Sequence, residues 1–314
     1  MLVFIINRTL QTIFVVFLVS LIAFSLLQFV PGDPARTILG NEASQEQIQM
    51  LRQELGLDQP IIVQYWHWLR DAAHGDFGTS LIYRLPVSEL FASRLPITGY
   101  LSLLSFLISV VLGVIAGIVC ATRRGGFLDQ IVSLFANVGV AVPIFWLGVL
   151  GIYVFGLNLG WLPIQGWTSP FSDFWKSTQQ AVMPVILMAI PSIAVLARQT
   201  RSSMLEIISQ DYIRTAHSKG LEERVVIYKH ALKNALVPII TILGLQLRVL
   251  VGGSVLIETV FNIPGMGRLL VTSAFNKDFL VMQGGVLILG LAVCLANLLV
   301  DIVYTWVDPR MRYE

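Results

Sequence analysis

The sequence predicts an all-α integral membrane protein with six transmembrane helices and both termini in the cytoplasm. Of its 314 residues 55% are hydrophobic and only 13% are charged, about half the charged share of a typical globular chain. Six apolar stretches each approach or exceed the roughly 20 residues that a helix needs to cross a bilayer. The net charge of +2 gives no reason to expect nucleic acid as a partner.

The six stretches cover about residues 9–30, 99–121, 131–157, 181–197, 235–257 and 281–307. They are continuous and lack the ten-residue alternation of a membrane β-barrel. The first is too long for a signal-peptide core, and no small-residue cleavage site follows it, so we expect a permanent anchor. A proline removes a backbone hydrogen bond from a helix, so three prolines are predicted bend points: Pro143, Pro184 and Pro191.

The distribution of Lys and Arg predicts the orientation. Seven basic residues lie between Arg198 and Lys233, and Arg123 and Arg124 occupy another loop on the same side. The short loops on the opposite side hold only Lys176, Arg268 and Lys277. The basic side is therefore predicted to be cytoplasmic.

Two polar segments divide the chain into predicted regions. Residues 1–30 form the first helix, 31–96 an extracytoplasmic segment, 97–307 the membrane core with a cytoplasmic loop at 198–234, and 308–314 a cytoplasmic tail. In the outer segment, helical spacing predicts helices at 45–55 and 61–73, the second rich in Trp and Tyr, which favour membrane interfaces. In the inner segment, Gly220 interrupts the helical pattern.

Catalytic and metal sites are not indicated by any motif. The chain contains no HExxH, GxSxG or Walker A sequence, and His67 and His74 have no third ligand nearby in the sequence. We therefore predict no catalytic residue and no metal site. Cys120 and Cys294 lie in apolar stretches and form no CxxC pair.

Charged residues within the membrane are costly and commonly functional. Arg248 lies midway along the fifth stretch, where it lines a translocation path, forms a structural ion pair or extends its charged end toward the membrane surface. Asp301, near the inner end of the sixth stretch, has the features of a structural residue. Ion-coupled carriers tend to hold more buried acidic residues than this sequence does. The hypothesis of a self-sufficient ion-coupled carrier or channel is therefore weakened but stays open.

The cytoplasmic loop is the most specific part of the sequence. It reads QDYIRTAHSKGLEERVVIYKHALKNALVP from Gln210 to Pro238. We expect small Ala216 to let another protein approach the backbone, and Gly220 to permit a sharp turn that a side chain would obstruct. This pattern predicts a short helix and turn that dock onto a partner protein.

The loop resembles the EAA signature of the permease subunits of bacterial ABC importers. Residues 214–216 stand where EAA would be and Gly220 where the glycine would be, and DYIRTAHSKGL is similar to the version in the peptide/nickel branch. Further landmarks follow in that branch's order: GDPA at 32–35, LGLDQP at 55–60, GDFGTSL at 75–81, RLP at 94–96, ETVFNIPGMGRL at 258–269 and VDPRMR at 307–312. The chain is most similar to the first, B-type permease, from which Arg248 departs.

The resemblance implies the type I ABC importer architecture in a bacterial inner membrane. It implies a second permease, two ATPases and an external solute-binding protein as partners, besides membrane lipid. ATP and magnesium would bind to the ATPases, and this chain would hold no cofactor. Peptides are the implied substrate, with nickel or other metal chelates and glutathione as alternatives. ATPase coupling is assigned to Asp211, Tyr212, Arg214, Thr215, Ala216, Lys219, Gly220 and Leu221.

Overall fold

The computed structural model describes residues 2–28, 34–40, 43–54, 56–80 and 82–307. Within these ranges the chain is built from helices, with one isolated antiparallel bridge between Thr79 and Pro86. The helices are α1 (Leu2–Gln28), α2 (Pro34–Leu39), α3 (Gln45–Glu54), α4 (Ile61–Ala73), α5 (Val87–Thr122), α6 (Phe127–Ala141), α7 (Ile144–Gly151), α8 (Phe174–Ile208), α9 (Asp211–Ser218), α10 (Glu223–Val225), α11 (Leu232–Val260), α12 (Met266–Phe275) and α13 (Phe279–Val307). Two π-helical segments, Ile152–Asn158 and Val226–Ala231, extend α7 and α10.

Six membrane spans fit the described helices. Four are unbroken and apolar enough to cross a bilayer: Ile5–Gln28, Val87–Thr122, Phe174–Ile208 and Phe279–Ile302. Two more are bent pairs, Phe127–Ala141 with Ile144–Asn158 at 106°, and Glu223–Leu236 with Pro238–Gln246 at 47°. Counting each pair as one span gives the predicted six, and the prediction of an all-α membrane protein is confirmed.

Helix ends differ from the ends of the apolar stretches. α8 continues to Ile208, beyond the predicted end of the fourth span near residue 197, and α5 already begins at Val87. The boundary drawn at residue 96 therefore falls inside a helix. Hydropathy marks where a helix meets the bilayer, whereas the helix itself continues as long as one face can pack against protein.

The three prolines occupy different environments. Pro143 stands between α6 and α7 with ψ of 136°, outside the helical range, and the chain turns by 106° there. Pro184 and Pro191 lie inside the single helix α8. That the helices bend at these prolines during transport stays a prediction.

The chain divides into two compact units. The first comprises Met1–Ile6, Gly99–Ile263 and Ala296–Glu314, and the second comprises Asn7–Thr98 and Pro264–Leu295. In the first unit α8 packs against α6, α7 and α11. Gly113 and Gly117 of α5 bring that helix close to α8, because an added Cβ would lie 2.6 Å from Leu196 Cβ and 2.4 Å from Thr200 Cβ, respectively. Such small residues permit close packing of membrane helices.

The second unit gathers most of the landmark motifs. Residues of the 75–91 region pack on those of α12 and α13 in one cluster, formed by Val87, Leu90, Phe91, Met266, Leu269 and Val281. Ser80 Oγ donates a hydrogen bond to buried Asp278 Oδ2 at 2.5 Å, and the Met266 amide donates to Thr98 Oγ1 at 2.9 Å. The GDFGTSL and NIPGMGRL motifs therefore serve the internal packing of this unit.

The helix at 61–73 forms as predicted. α4 spans Ile61–Ala73 and buries Tyr65, whose hydroxyl lies 2.7 Å from Ser20 Oγ of α1. Trp66 remains 57% exposed. Parts of the landmarks at 32–35, 55–60, 75–81 and 307–312 lie outside the described residues.

Candidate functional site

The predicted docking segment forms a short helix with two distinct sides. α9 spans Asp211–Ser218 and is preceded by Gln210 in an extended conformation. Ile213 and Ala216, three residues apart, are only 1% and 8% exposed, and the other six residues of the helix are exposed. Because residues three apart share a helix face, this spacing turns one narrow side of α9 toward the protein.

The buried side of α9 belongs to a cluster that we call the inner cluster. Its buried members are Ala121, Met204, Ile213, Ala216, Val226, Ala231 and Ala235. Burial of an isoleucine side chain contributes about 1.5–3 kcal/mol, so Ile213 anchors α9 to the end of α8. The predicted docking helix α9 is thus packed against its own chain.

This packing corrects the interpretation of Ala216. The sequence suggested that its small side chain admits another protein's surface, but Ala216 faces Met204 and the rest of the inner cluster. A larger side chain would press against this chain's own helices. Sequence spacing alone does not show which side of a short helix is buried, and in this chain Ala216 lies on the buried side.

Gly220 ends α9 in a left-handed conformation. Its φ is +76°, its amide donates to the His217 carbonyl at 2.9 Å, and the Leu221 amide donates to the Ala216 carbonyl at 3.4 Å. This pair of bonds is the Schellman motif of helix ends, in which glycine is favoured. The predicted turn is confirmed, and the obstruction that a side chain would meet is local: a Cβ at Gly220 would contact no other part of the chain within 4 Å, but φ of +76° would bring it too close to its own backbone. The backbone angle is what requires glycine.

The exposed side of α9 combines charged, polar and apolar groups. Seven of the eight predicted coupling residues are exposed on α9 or in the turn that follows it: Asp211, Tyr212, Arg214, Thr215, Lys219, Gly220 and Leu221. Tyr212 and Leu221 are 44% and 39% exposed. The Tyr212 hydroxyl accepts a hydrogen bond from Asn234 Nδ2 at 2.9 Å, which holds the ring against the start of α11.

A buried ion pair near this segment was missed by the sequence analysis. Arg201 Nε and Nη2 donate to Asp129 Oδ1 and Oδ2 at 2.7 and 2.8 Å, and Asp129 is only 4% exposed. The Gly125 amide also donates to Asp129 Oδ2 at 2.9 Å. The sequence holds one indication that Asp129 has a specific role, because it is the only acidic residue between Glu89 and Asp173.

Comparison with known proteins decides the family. Residues 113–313 match the model of the binding-protein-dependent transport system inner membrane component, and residues 1–103 match its N-terminal companion. The chain belongs to this family of permeases. It is therefore a multi-pass protein of the bacterial inner membrane and an ABC importer permease, a class that associates with ATPase and binding-protein partners.

Several relatives align with nearly the whole length of the permease. It is 42% identical to the probable peptide ABC transporter permease protein y4tP of Sinorhizobium fredii over 99% of both chains. It is 45% identical to a putative peptide transport system permease protein of Brucella abortus over 99% of both chains. It is 42% identical to the glutathione transport system permease protein GsiC of Escherichia coli over 100% of both chains.

A solved structure shares the fold. A chain of the inward-facing MetNI methionine ABC transporter superposes with a TM-score of 0.56 at 20% identity, covering 70% of the permease and 96% of that chain. At this identity the likeness concerns the fold alone. It agrees with the predicted type I importer architecture.

Within the permease, α8 connects α9 to α6. Met204 of α8 packs in the inner cluster with α9, and Arg201, one turn earlier, holds Asp129 of α6. α9 is therefore linked to α8 by packed side chains, and α8 is linked to α6 by a bidentate ion pair.

The remaining predicted residues lie elsewhere. The backbone of Arg248 belongs to α11, but its side chain lies outside the described part of the chain. Asp301 is half-buried and has a bonding partner. Among the described residues no group of three His, Cys, Asp or Glu side chains is arranged to hold a metal ion.

Proposed function

We propose that this permease imports peptides together with a second, related permease, two ATPases and an external solute-binding protein. The two-sided packing of α9 carries this proposal. Its buried side is fixed to α8 by Ile213, Ala216 and Met204, and its exposed side is free to meet a cytoplasmic protein. A segment that only packed internally would not present to water an aromatic side chain on α9, Tyr212, and an apolar one just after it, Leu221.

The exposed side of α9 docks into an ATPase. Tyr212 and Leu221 supply apolar anchors, and Arg214, Thr215 and Lys219 supply polar contacts around them, which is the usual composition of a protein interface. Closure of the ATPases on ATP displaces α9, and α8 carries that movement to α6 through Arg201 and Asp129. ATP and magnesium bind to the ATPases, and this chain hydrolyses nothing.

Peptides are the proposed substrate because the relatives with that name align over nearly the whole chain. The Sinorhizobium and Brucella relatives are named peptide permeases, and the Escherichia coli relative is named a glutathione permease. Glutathione is itself a tripeptide, so one substrate chemistry covers all three names. Metal chelates such as nickel complexes are the competing class.

Isolation of the chain from its native membrane in mild detergent, followed by mass spectrometry, tests the assembly. We expect a second six-helix permease and two ATPase copies in stoichiometric amounts. In liposomes, the assembly with its binding protein should take up a labelled di- or tripeptide only when ATP is supplied. A chain that purifies alone and passes substrate without ATP would overturn the proposal in favour of a self-sufficient carrier.

A further inference from the structure

A groove of about 410 Å³ opens in the first unit on the predicted cytoplasmic side. It lies between the end of α5, the start of α6 and the segment formed by α10 and its π-helical extension. Its apolar wall consists of Ile118, Val119, Leu128 and Ile227. Two arginines, Arg123 and Arg224, also line it.

The polarity of the groove changes along α5. Ile118 and Val119 belong to the last turns of an apolar membrane span that ends at Thr122, and Arg123 follows immediately. The groove therefore begins at the level of the hydrocarbon and ends at the level where lipid phosphates lie. Tyr228, 59% exposed, lines the same groove and is of a type enriched at membrane interfaces.

The guanidinium groups of the two arginines are available for a ligand. Among the described residues, the guanidinium groups of Arg123 and Arg224 form no hydrogen bond or ion pair, whereas Arg201 is held by Asp129. Both are exposed, so their charges are available to an external anion. Among the residues that the structure describes, Glu223 contributes the only carboxylate to the lining of the groove.

We propose that this groove binds the phosphate headgroup of an anionic membrane phospholipid. The arginines meet the phosphate, and the first carbons of an acyl chain lie along Ile118, Val119 and Leu128. Along the membrane normal the lining of the groove changes from apolar to basic. A phospholipid has the matching order of groups, an acyl chain followed by a phosphate, whereas a protein partner would not require this order. Basic pockets between membrane helices on the cytoplasmic side are known to hold such headgroups.

Lipid retention by the purified assembly tests this site. Native mass spectrometry would count bound phosphatidylglycerol and, separately, phosphatidylcholine for the unchanged protein and for the variant Arg123→Gln/Arg224→Gln. We expect the unchanged protein to prefer phosphatidylglycerol. Each arginine contributes about fivefold to the affinity for phosphatidylglycerol, so the double variant should bind this lipid roughly 25-fold more weakly.

The chain offers a matched control in Arg124→Gln/Lys229→Gln. These residues are the sequence neighbours of Arg123 and Tyr228, are exposed and basic, and do not line the groove. The control removes the same charge and should keep the bound phosphatidylglycerol. Equal loss in both double variants would mean unspecific surface attraction and would overturn the site, as would no loss in either.

Two further results separate a lipid from a protein ligand. Glu223→Gln removes the carboxylate from the groove, so it should strengthen retention of phosphatidylglycerol. If Arg123→Gln/Arg224→Gln instead released the ATPases while lipid retention stayed unchanged, the groove would be a protein-docking surface and the proposal would be wrong. Since both arginines are exposed, the variants should fold, which their elution as intact assemblies would verify.

Discussion

Arg201 and Asp129 form a bidentate ion pair with donor to acceptor distances of 2.7 and 2.8 Å, joining the cytoplasmic part of α8 to the start of α6. The Asp129 carboxylate is almost fully buried, while a third of the Arg201 side chain, 32%, remains exposed. An arginine with that access to water tolerates loss of its partner better than a buried carboxylate does.

The two single substitutions should therefore be unequal. Removal of the guanidinium in Arg201→Gln strands a buried carboxylate and should lower the free energy of unfolding by about 3 kcal/mol. Asp129→Asn leaves a partly hydrated arginine and should cost about 1 kcal/mol. Thermal unfolding of the purified permease measures both. Equal costs would contradict the burial that separates the two residues, and a double-mutant cycle would give their coupling energy.

Substitutions at Gly220 test its backbone conformation. Gly220→Ala should destabilise the turn by roughly 1–2 kcal/mol, because φ of +76° is unfavourable for a residue with a Cβ. Gly220→Asn should cost less, since asparagine adopts this conformation more readily. In proteoliposomes, the ratio of peptide uptake to ATP hydrolysis should therefore fall more for Gly220→Ala than for Gly220→Asn. If alanine and asparagine behaved alike, the left-handed angle would not be what requires glycine.

Neighbouring residues of α9 distinguish its two sides. Ala216→Leu forces extra volume into the inner cluster and should destabilise the permease by about 1–3 kcal/mol. Thr215→Leu places the same leucine side chain on the exposed side of α9 and should change the free energy of unfolding by no more than about 0.5 kcal/mol. Thermal unfolding compares the two. A larger loss from Thr215→Leu would mean that the buried side of α9 has been assigned incorrectly.

The contact between α5 and α8 can be tested at two glycines of one helix. In Gly117→Ala the new Cβ would lie 2.4 Å from Thr200 Cβ and 2.7 Å from the Ala197 carbonyl oxygen, so the helices must separate. We expect a loss of roughly 1–3 kcal/mol in stability. Gly99→Ala is the control, because its Cβ would meet nothing within 4 Å. Equal melting temperatures for the two variants would exclude close packing at Gly117.

The sequence was sufficient for the class of fold, the number of spans and the turn at Gly220 that ends α9. Apolar run length predicts a span whatever its neighbours are, and the 61–73 pattern predicted α4 to the residue. Run length and spacing could not predict the burial of Ala216, because this burial depends on the extension of α8 to Ile208, beyond the apolar stretch of that helix. The Asp129–Arg201 pair joins residues 72 positions apart, and no local pattern reports such a contact.

The proposal that the exposed side of α9 meets an ATPase is tested most directly by site-specific crosslinking. A cysteine introduced as Thr215→Cys would carry a photoreactive maleimide in the assembled transporter, and Ala216→Cys would be its buried control; the native Cys120 and Cys294 are both buried. We predict that illumination joins the Thr215→Cys permease to an ATPase subunit and that Ala216→Cys gives little product. A Thr215→Cys probe that reacts with no ATPase, although one is present in the assembly, would contradict the docking role of α9.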